Sequence, residues 1–207
     1  MNIYSQYIFP RLLDWTMASP TVGKYRKALL QDVRGEVLEI GFGTGLNLAY
    51  YPEEIEQLTT IDVNSGMNQL AKKRIANAPF KVDSQVQNGD SLPFETETFD
   101  SVVSTWTLCS IANIHQALQE IYRVLKPGGQ FFFIEHGLSD NPKVQVWQNR
   151  LTPLQKIVGD GCHLNRNMKE LISQHFPALE LENCQLETEP EIIGYLYKGV
   201  ATKSITD

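Results

Sequence analysis

The sequence predicts an α/β fold built on a doubly wound, mostly parallel sheet of seven strands with an antiparallel last strand. Strand-like and helix-like segments alternate between residues 37 and 135, which is typical of parallel strands joined by helices on both faces. Two strand-like runs near 178–186 and 192–202 leave little room for a helix between them, so we expect them to pair antiparallel. With 207 residues, of which 42% are hydrophobic, the chain suits a single domain with a substantial core.

Short apolar or alternating runs predict the parallel part of the sheet. The expected strands are residues 37–40, 58–62, 81–87, 99–104 and 130–135. The last of these runs is apolar throughout, which predicts a strand that is buried on both faces.

Capping residues and helical spacing predict the helices. They are expected over residues 3–31 with a break at Ser19-Pro20, from about Leu46, over 65–76, from Asn113, and from Asn167 to about His175. Asn113 with Gln116, and Asn167 with Glu170, have the spacing of a capping box. The Lys-Pro-Gly-Gly run at 126–129 should end the helix that Asn113 opens.

Charge and cysteine usage exclude several classes of protein. The net charge is −6 and no dense Lys/Arg run exists, which argues against nucleic acid and favours a small-molecule substrate. Cys109, Cys162 and Cys184 are widely spaced and form no zinc-binding pattern, so we expect a reduced, cytoplasmic protein without a metal. No signal peptide pattern and no transmembrane stretch are recognised.

A glycine-rich turn, Glu39-Ile40-Gly41-Phe42-Gly43-Thr44-Gly45, follows the first expected strand and opens the next helix. Glycines there let the backbone turn sharply and let a ligand approach closely. Dinucleotide enzymes use the spacing GxGxxG at this point, whereas GxGxG after an acidic residue is typical of S-adenosylmethionine (SAM) sites. Backbone N–H groups suit the SAM carboxylate, and a nearby acid suits its ammonium group.

Asp62 lies 21 residues after Gly41 and ends the second expected strand. A carboxylate at this position can accept hydrogen bonds from both ribose hydroxyls, a feature that SAM and NAD enzymes share. A helix cap is the alternative interpretation of Asp62, and a tight turn without a ligand is the alternative for the glycines.

Two later segments, Asn88–Phe94 and Phe99–Leu108, distinguish SAM from NAD when they are taken with the Arg123–Gly129 run. In this order the motifs resemble the class I SAM-dependent methyltransferases, near the ubiquinone-biosynthesis branch, over about residues 35–137. The resemblance implies that Glu39, Gly41, Gly43 and Gly45 contact the methionine moiety, Asp62 the ribose and Asp90 the adenine. It also assigns seven further positions to the cofactor pocket, which are Asn47, Val63, Met67, Gly89, Ser91, Thr105 and Leu108. The bulky Phe42 replaces a small residue of the family and must point away from SAM.

A narrower resemblance involves Thr107–Ser110, Glu135-His136 and Asp160–Arg166, in addition to the glycine turn. These segments resemble the animal methyltransferase-like proteins that methylate alkyl thiols, although those carry a hydrophobic N-terminal membrane anchor that this sequence does not show. The resemblance implies methyl transfer to a small apolar nucleophile, with a thiol favoured over a quinone, phenol, amine or lipid acceptor. A dinucleotide-dependent oxidoreductase and a SAM-binding module without catalysis are the rival hypotheses.

Four polar residues are the candidates for handling the acceptor. Glu135 and His136 follow the fifth expected strand, and Asp160 and His163 lie in a polar cluster within an apolar stretch. His136 is interpreted as a base or as a cap of the next loop, and Glu135 as facing the substrate or bonding a neighbouring loop. Either Asp160 or His163 could meet the substrate, whereas Cys162 is best interpreted as a buried thiol.

The whole chain, 1–207, is expected to form one domain with three parts. These are a helical lid over 1–31, a SAM-binding core over 35–137, and substrate-side helices with an antiparallel hairpin over 138–207. The apolar residues of the first part permit two other interpretations, which are contact with a membrane surface and simple packing against the sheet.

Overall fold

The computed structural model describes residues 3–205 and contains a sheet of seven strands. The strands are β1 Glu36–Ile40, β2 Gln57–Asp62, β3 Lys81–Val86, β4 Phe99–Thr105, β5 Leu125–His136, β6 Ala178–Gln185 and β7 Tyr195–Thr202. Their order in the sheet is β3-β2-β1-β4-β5-β7-β6. Strands β1 to β5 are parallel, while β7 is antiparallel to both β5 and β6. The predicted fold class is therefore confirmed, including the antiparallel last strand.

The helices cover both faces of this sheet. A π-helical turn, Tyr4–Ile8, leads into α1 Phe9–Met17, and α2 Pro20–Leu30, α3 Ser65–Ala76, α4 Ile114–Val124, α5 Pro142–Val158, α6 Met168–Ser173 and α7 Glu191–Gly194 follow. Ser19, Asn113 and Asn167 each accept a hydrogen bond from a backbone N–H in the first turn of α2, α4 and α6. These side chains satisfy donors that a helix start leaves unpaired, which is why the sequence marks these boundaries well.

Three elements differ from the expected ones. The run expected as a strand over 192–202 begins with the short helix α7, Glu191–Gly194, so β7 starts only at Tyr195. The helix expected from Leu46 is a single 3-10 turn, Leu46–Ala49, because Pro52 follows closely and disfavours the helical conformation of the residue before it. Strand β5 begins at Leu125 rather than at residue 130, since Leu125 pairs with Phe99 and Gln130 pairs with Ser101. The Lys-Pro-Gly-Gly run thus forms an irregularity inside the strand, where Gly128 has a φ of +74°.

Strand β5 is the centre of the core, and its side chains alternate between two apolar clusters. Phe131 and Phe133 pack under α4 and α6 on one face, while Phe132 and Ile134 pack on the opposite face with the α2 side chains. Because five parallel strands end at one edge, the loops after β1 to β5 are brought together there. The strand order reverses between β1 and β4, and that is the point where doubly wound sheets bind ligands. Within residues 3–205, no helix has the length and apolar character needed to cross a bilayer.

Candidate active site

The glycine turn after β1 forms a backbone cradle. Gly41, Gly43 and Gly45 have φ values of +75°, +58° and +79°, which side chains with a Cβ rarely adopt. The Gly41 N–H donates to the Ile61 carbonyl of β2 over 2.9 Å and fixes the start of the turn. A Cβ added at Gly43 would have the Gly41 carbonyl, 3.9 Å away, as its nearest neighbour. The turn therefore presents open space beside Gly43 at the sheet edge.

The Phe42 side chain points away from this space. Its ring is buried in the apolar cluster that includes Val22 and Leu48. The bulky residue consequently fills the core beneath the turn and does not narrow the cradle.

Glu39 is fully buried at the end of β1 and anchors a polar network. Its Oε1 accepts from Asn47 Nδ2 over 2.8 Å, and its Oε2 accepts from the Tyr51 hydroxyl over 2.8 Å. Asn47 Nδ2 also donates to Thr105 Oγ1, over 3.0 Å. Burial raises the pKa of Glu39 to about 7, against the lowering effect of these hydrogen bonds.

The same network contains an unsatisfied acceptor. Asn47 Oδ1 is buried and has no hydrogen-bond partner among the described residues. Leaving such a group unpaired costs about 1–3 kcal/mol, so a ligand donor that reaches it is favoured. An ammonium group is one such donor, and the adjacent Glu39 carboxylate matches its charge.

Asp62 connects the glycine turn to the loop after β2. Its two carboxylate oxygens accept from the backbone N–H groups of Gly43 and Asn64, over 2.8 and 2.7 Å. Each carboxylate oxygen can accept two hydrogen bonds, so one acceptor site on each remains for a ribose hydroxyl. Burial raises the pKa of Asp62, and the two backbone donors oppose that shift.

Replacement of Asp62 tests this assignment. Asp62→Ala should weaken SAM binding at least about tenfold, because hydrogen bonds to a charged group are worth ~1.5–3 kcal/mol each. Isothermal calorimetry measures the affinity, and Asp62→Asn, which keeps one acceptor oxygen, should show a smaller loss. An unchanged SAM affinity in Asp62→Ala would remove Asp62 from the cofactor site.

Sequence reasoning overlooked Arg26. This side chain is 5% exposed on α2, and its guanidinium lies 4.7 Å from the centre of the Trp106 ring. Its Nε and Nη1 atoms have no hydrogen-bond partner among the described residues. Burial lowers the pKa of Arg26 to about 10, while the charge of Glu39 opposes that shift. The signal was present in the sequence, since Arg26 occupies a core position of an amphipathic helix between Val22 and Leu29.

The other predicted cofactor residues divide by exposure. Met67 and Leu108 are buried, and Gly89 lies so close to Ile40 that an added Cβ would approach its Cγ2 to 2.9 Å. Asp90 is partly exposed at the same edge, beyond β3. Val63 and Ser91 are exposed. Among the described residues, their side chains form no hydrogen bond with the network around Glu39 and Asp62.

The N-terminal segment crosses this edge of the sheet. Asn64 Nδ2 donates to the Ser5 carbonyl over 2.7 Å, and Thr44 Oγ1 donates to Asp14 Oδ1 over 2.5 Å. Asp14 also forms an ion pair with Arg74 of α3, at 2.8 Å. The segment therefore contacts both the glycine turn and the loop after β2.

Glu135 is fully buried at the end of β5 and holds the loop that follows β4. Its Oε1 accepts from the Ser104 hydroxyl over 3.0 Å and from the N–H groups of Thr107 and Leu108, both over 2.9 Å. Its Oε2 accepts from the Cys109 N–H over 3.3 Å. Burial raises the pKa of Glu135 to about 8. The sequence leaves two roles open for Glu135, facing the substrate or bonding a neighbouring loop. These contacts correspond to the second role.

The structure places His136 between two cysteines. Its Nε2 lies 3.3 Å from Cys162 Sγ and 3.8 Å from Cys109 Sγ. The pKa of the Cys109 thiol is lowered, mainly by its hydrogen bond with Cys162 and then by the charge of His136. Burial opposes this shift. Burial opposes protonation of His136, yet the Cys109 charge and hydrogen bond raise its pKa above the usual value. This cluster could not be recognised in the sequence, because its members are 26 or more residues apart.

Asp160 and His163 lie on the segment that carries Cys162, but their contacts differ. Asp160 Oδ1 accepts from Ser5 Oγ over 2.7 Å, and its charge is close enough to raise the pKa of Asp62, where burial is the larger influence. The His163 N–H donates to the Cys109 carbonyl over 2.9 Å, with His163 Nδ1 3.1 Å from the same oxygen. Asp160 thus flanks the cofactor side of the site, whereas His163 holds the loop after β4.

These features fit SAM. The open cradle beside Gly43, the unsatisfied Asn47 oxygen next to an acid and the free acceptor sites of Asp62 match the carboxylate, ammonium and ribose groups of that molecule. A family model described as a methyltransferase domain matches residues 38–133. The fold and site thus define a class I SAM-dependent methyltransferase.

The relatives identify the family within that class. The chain is 33% identical to thiol S-methyltransferase TMT1B of Rattus norvegicus over 196 residues, which are 86% of this chain and 80% of the relative. It is 34% identical to thiol S-methyltransferase TMT1A of Homo sapiens over 78% of this chain and 70% of the relative. The protein belongs to the methyltransferase family that contains these enzymes. UbiE of Bartonella quintana, a ubiquinone/menaquinone biosynthesis C-methyltransferase, is 31% identical over 69% of this chain and 58% of that relative.

Solved structures share the fold at low sequence identity. The phosphoethanolamine N-methyltransferase 2 of Haemonchus contortus, solved with S-adenosylhomocysteine, has a TM-score of 0.74 at 17% identity over 96% of this chain and 59% of that one. The YcgJ protein of Bacillus subtilis has a TM-score of 0.69 at 16% identity, over 89% of this chain and 98% of that one.

Proposed function

We propose that this methyltransferase transfers the methyl group of SAM to the sulfur of a small, apolar thiol. The observation that carries the proposal is the cluster of Cys109, His136 and Cys162, which lies at the carboxyl ends of β4 and β5 on the acceptor side of the glycine turn. Buried apolar side chains, Leu108 and Leu164, adjoin it. The thiol S-methyltransferases among the relatives support the same acceptor.

The donor side holds SAM through its charged tail and its ribose. Bound SAM supplies an electrophilic methyl group on its sulfonium. Glu39 and Asn47 Oδ1 receive the ammonium, the Arg26 guanidinium receives the carboxylate, and Asp62 receives the ribose hydroxyls. Asp90, which follows β3, is assigned to the adenine amine. Held by these residues, SAM would present its methyl group at the sheet edge where β4 and β5 end.

The acceptor side must remove a proton and align the sulfur. A free thiol with a pKa of about 8.5 is only a few per cent ionised at neutral pH, so activation of the thiol speeds the reaction. We assign this activation to the Cys109–His136–Cys162 cluster acting as a unit, because both sulfurs lie within 4 Å of the His136 ring nitrogens. Glu135 is a positioning residue in this scheme, since it bonds the loop that carries Cys109.

The N-terminal segment acts as a lid in the proposed enzyme. It bonds Thr44 on the glycine turn, Asn64 beyond β2 and Asp160 on the segment that carries Cys162, so it reaches from the glycine turn to the segment of the cluster. Asp160 holds the lid through Ser5, and His163 supports the loop after β4. Closure excludes water and holds the reacting sulfur near the ~3–3.5 Å needed for in-line displacement.

Replacement of Arg26 separates a ligand-binding role from a structural one. Its unpaired N–H groups cost stability while SAM is absent, so Arg26→Met should leave the Tm unchanged or raise it. The same variant should bind SAM about tenfold to a hundredfold more weakly, since a charged hydrogen-bonding partner of the carboxylate is lost. Calorimetric SAM titration and thermal unfolding measure the two quantities. A lower Tm with unchanged SAM affinity would make Arg26 a purely structural residue.

The acceptor class is tested by incubating the protein with methyl-labelled SAM and matched thiols, phenols and amines of similar size. We expect label in the thiol product with far higher kcat/KM than in the others, and no label transfer by Gly43→Val. Preferential methylation of a quinol or phenol carbon would instead favour the reaction of the UbiE relatives. The thiol proposal fails if the thiols remain unlabelled while another class reacts.

A further inference from the structure

The cysteine–histidine cluster brings three soft metal-ligating atoms together from three distant parts of the chain. Cys109 lies on the loop after β4, His136 ends β5, and Cys162 follows α5. The ligand atoms all lie within 4.8 Å of one another. Cys109 and Cys162 are 1% and 4% exposed, so neither thiol is a surface group.

The two nitrogen-to-sulfur separations in the cluster are close to the edge length of a tetrahedral zinc site. With Zn–S of about 2.3 Å and Zn–N of about 2.0–2.1 Å, a tetrahedral ion places its sulfur and nitrogen ligands roughly 3.6 Å apart. The distances from His136 Nε2 to Cys162 Sγ and Cys109 Sγ are 3.3 and 3.8 Å, on either side of that value. Cys162 Sγ is also 3.8 Å from His136 Nδ1, so this sulfur lies beside the imidazole ring, and ligation requires the ring to turn its Nε2 toward both thiols.

The surroundings hold the ligands in place before an ion binds. Glu135 accepts the N–H groups of the loop that carries Cys109, and His163 donates to the Cys109 carbonyl. Arg166 Nη1 donates to the Leu108 carbonyl, and its Nη2 donates to the Ile111 carbonyl over 2.8 Å. The loop is thus bonded at both its N–H and its carbonyl groups. A ligand held in this way loses little conformational entropy when a metal binds.

The donor set selects the kind of metal and the kind of site. Two thiolates and one imidazole suit zinc rather than magnesium or calcium, which prefer oxygen ligands. Within residues 3–205, the group of candidate metal ligands has three members and not four. Three protein ligands of the Cys₂His type, with a fourth position left for water or substrate, are the pattern of catalytic zinc sites.

We propose that Cys109, His136 and Cys162 bind one zinc ion whose open position takes the sulfur of the acceptor thiol. This inference rests on the proposed thiol methylation and states how the cluster activates the thiol. The thiol releases its proton to solvent as its sulfur becomes a zinc ligand. That sulfur then forms a bond to the methyl carbon while the bond from this carbon to the sulfonium sulfur breaks. The products are the methyl thioether, S-adenosylhomocysteine and one proton, and zinc stays divalent throughout.

Metal binding can be measured without any acceptor. The full chain is purified under a phosphine reductant, stripped with a chelator, and titrated with ZnCl₂ against a chromophoric competitor. Elemental analysis of the reloaded protein should give one zinc per chain. Cobalt(II) loading should produce the thiolate-to-metal absorption band and the visible bands of a tetrahedral site.

Cysteine variants locate the site. Cys109→Ser and Cys162→Ser should each lower zinc affinity on the order of a hundredfold or more, because a metal–thiolate bond is lost. Cys184→Ser is the matched control, since Cys184 lies on β6 outside the cluster, and it should bind zinc like the parent. SAM affinity and the unfolding transition, measured on every variant, show that the variants are folded.

The outcomes separate the two proposals. Failure of the reduced parent protein to bind zinc with at least micromolar affinity overturns the metal site, even if it methylates thiols. Equal zinc binding by the parent and by both cluster variants also overturns it. Stoichiometric zinc that both cluster variants lose supports the site, and a failure to methylate thiols would then count against the proposed acceptor alone.

Discussion

The Gly43→Val variant is expected to lose detectable SAM binding while its fold is retained. Gly43 has a φ of +58°, a conformation that a β-branched residue adopts only with strain. Its Cβ position opens into the cradle, with the nearest atom 3.9 Å away, so the valine side chain would occupy the ligand space. Calorimetric titration with SAM should give no measurable heat of binding.

Gly128→Val is the matched control for this variant. Gly128 has a φ of +74° and lies in the irregularity of β5, with Ile205 the nearest neighbour of an added Cβ at 3.6 Å. The control should suffer a comparable loss of stability but bind SAM normally. If Gly43→Val binds SAM as tightly as Gly128→Val does, the methionine moiety does not lie on the glycine turn.

The second large effect is expected from His136→Ala. If the cluster activates the acceptor, its disruption should slow turnover on thiols on the order of 10²–10⁴-fold at neutral pH. SAM affinity should hardly change, because the donor-side contacts involve Glu39, Asn47 and Asp62. The defect should shrink as the pH rises through about 8.5–10, where the acceptor thiol ionises without assistance.

A pH–rate profile of His136→Ala beside the parent enzyme tests this expectation. His175→Ala is the control, since His175 pairs with His115 on the surface, with their rings 5.7 Å apart, and does not belong to the cysteine–histidine cluster. Equal thiol turnover by His136→Ala and the parent at neutral pH would leave substrate positioning alone as the source of the rate. A defect that persists at high pH, together with weakened SAM binding, would indicate a packing role for His136.

The sequence by itself determined the fold class, and it predicted the donor half of the proposed site. The caps at Ser19, Asn113 and Asn167 each accept from a backbone N–H three residues away, so a local pattern specifies them. The glycine turn is equally local. Its three positive φ angles, at Gly41, Gly43 and Gly45, fall within five residues, and such angles favour glycine. The apolar run in β5 correctly predicted a buried strand, because a strand that is covered on both faces has apolar side chains on both.

Only the tertiary structure decided the acceptor half. Cys109, His136 and Cys162 have no recognisable spacing, and they meet because β4 and β5 are neighbours in the sheet and α5 returns the chain to their ends. The role of Glu135 was likewise undecided, since its partners belong to a loop 26 to 31 residues earlier. Contacts of this length depend on the packing of whole elements, and no local backbone preference encodes them. Helix caps and the glycine turn can therefore be predicted from the sequence, whereas side chains that converge across the sheet edge cannot.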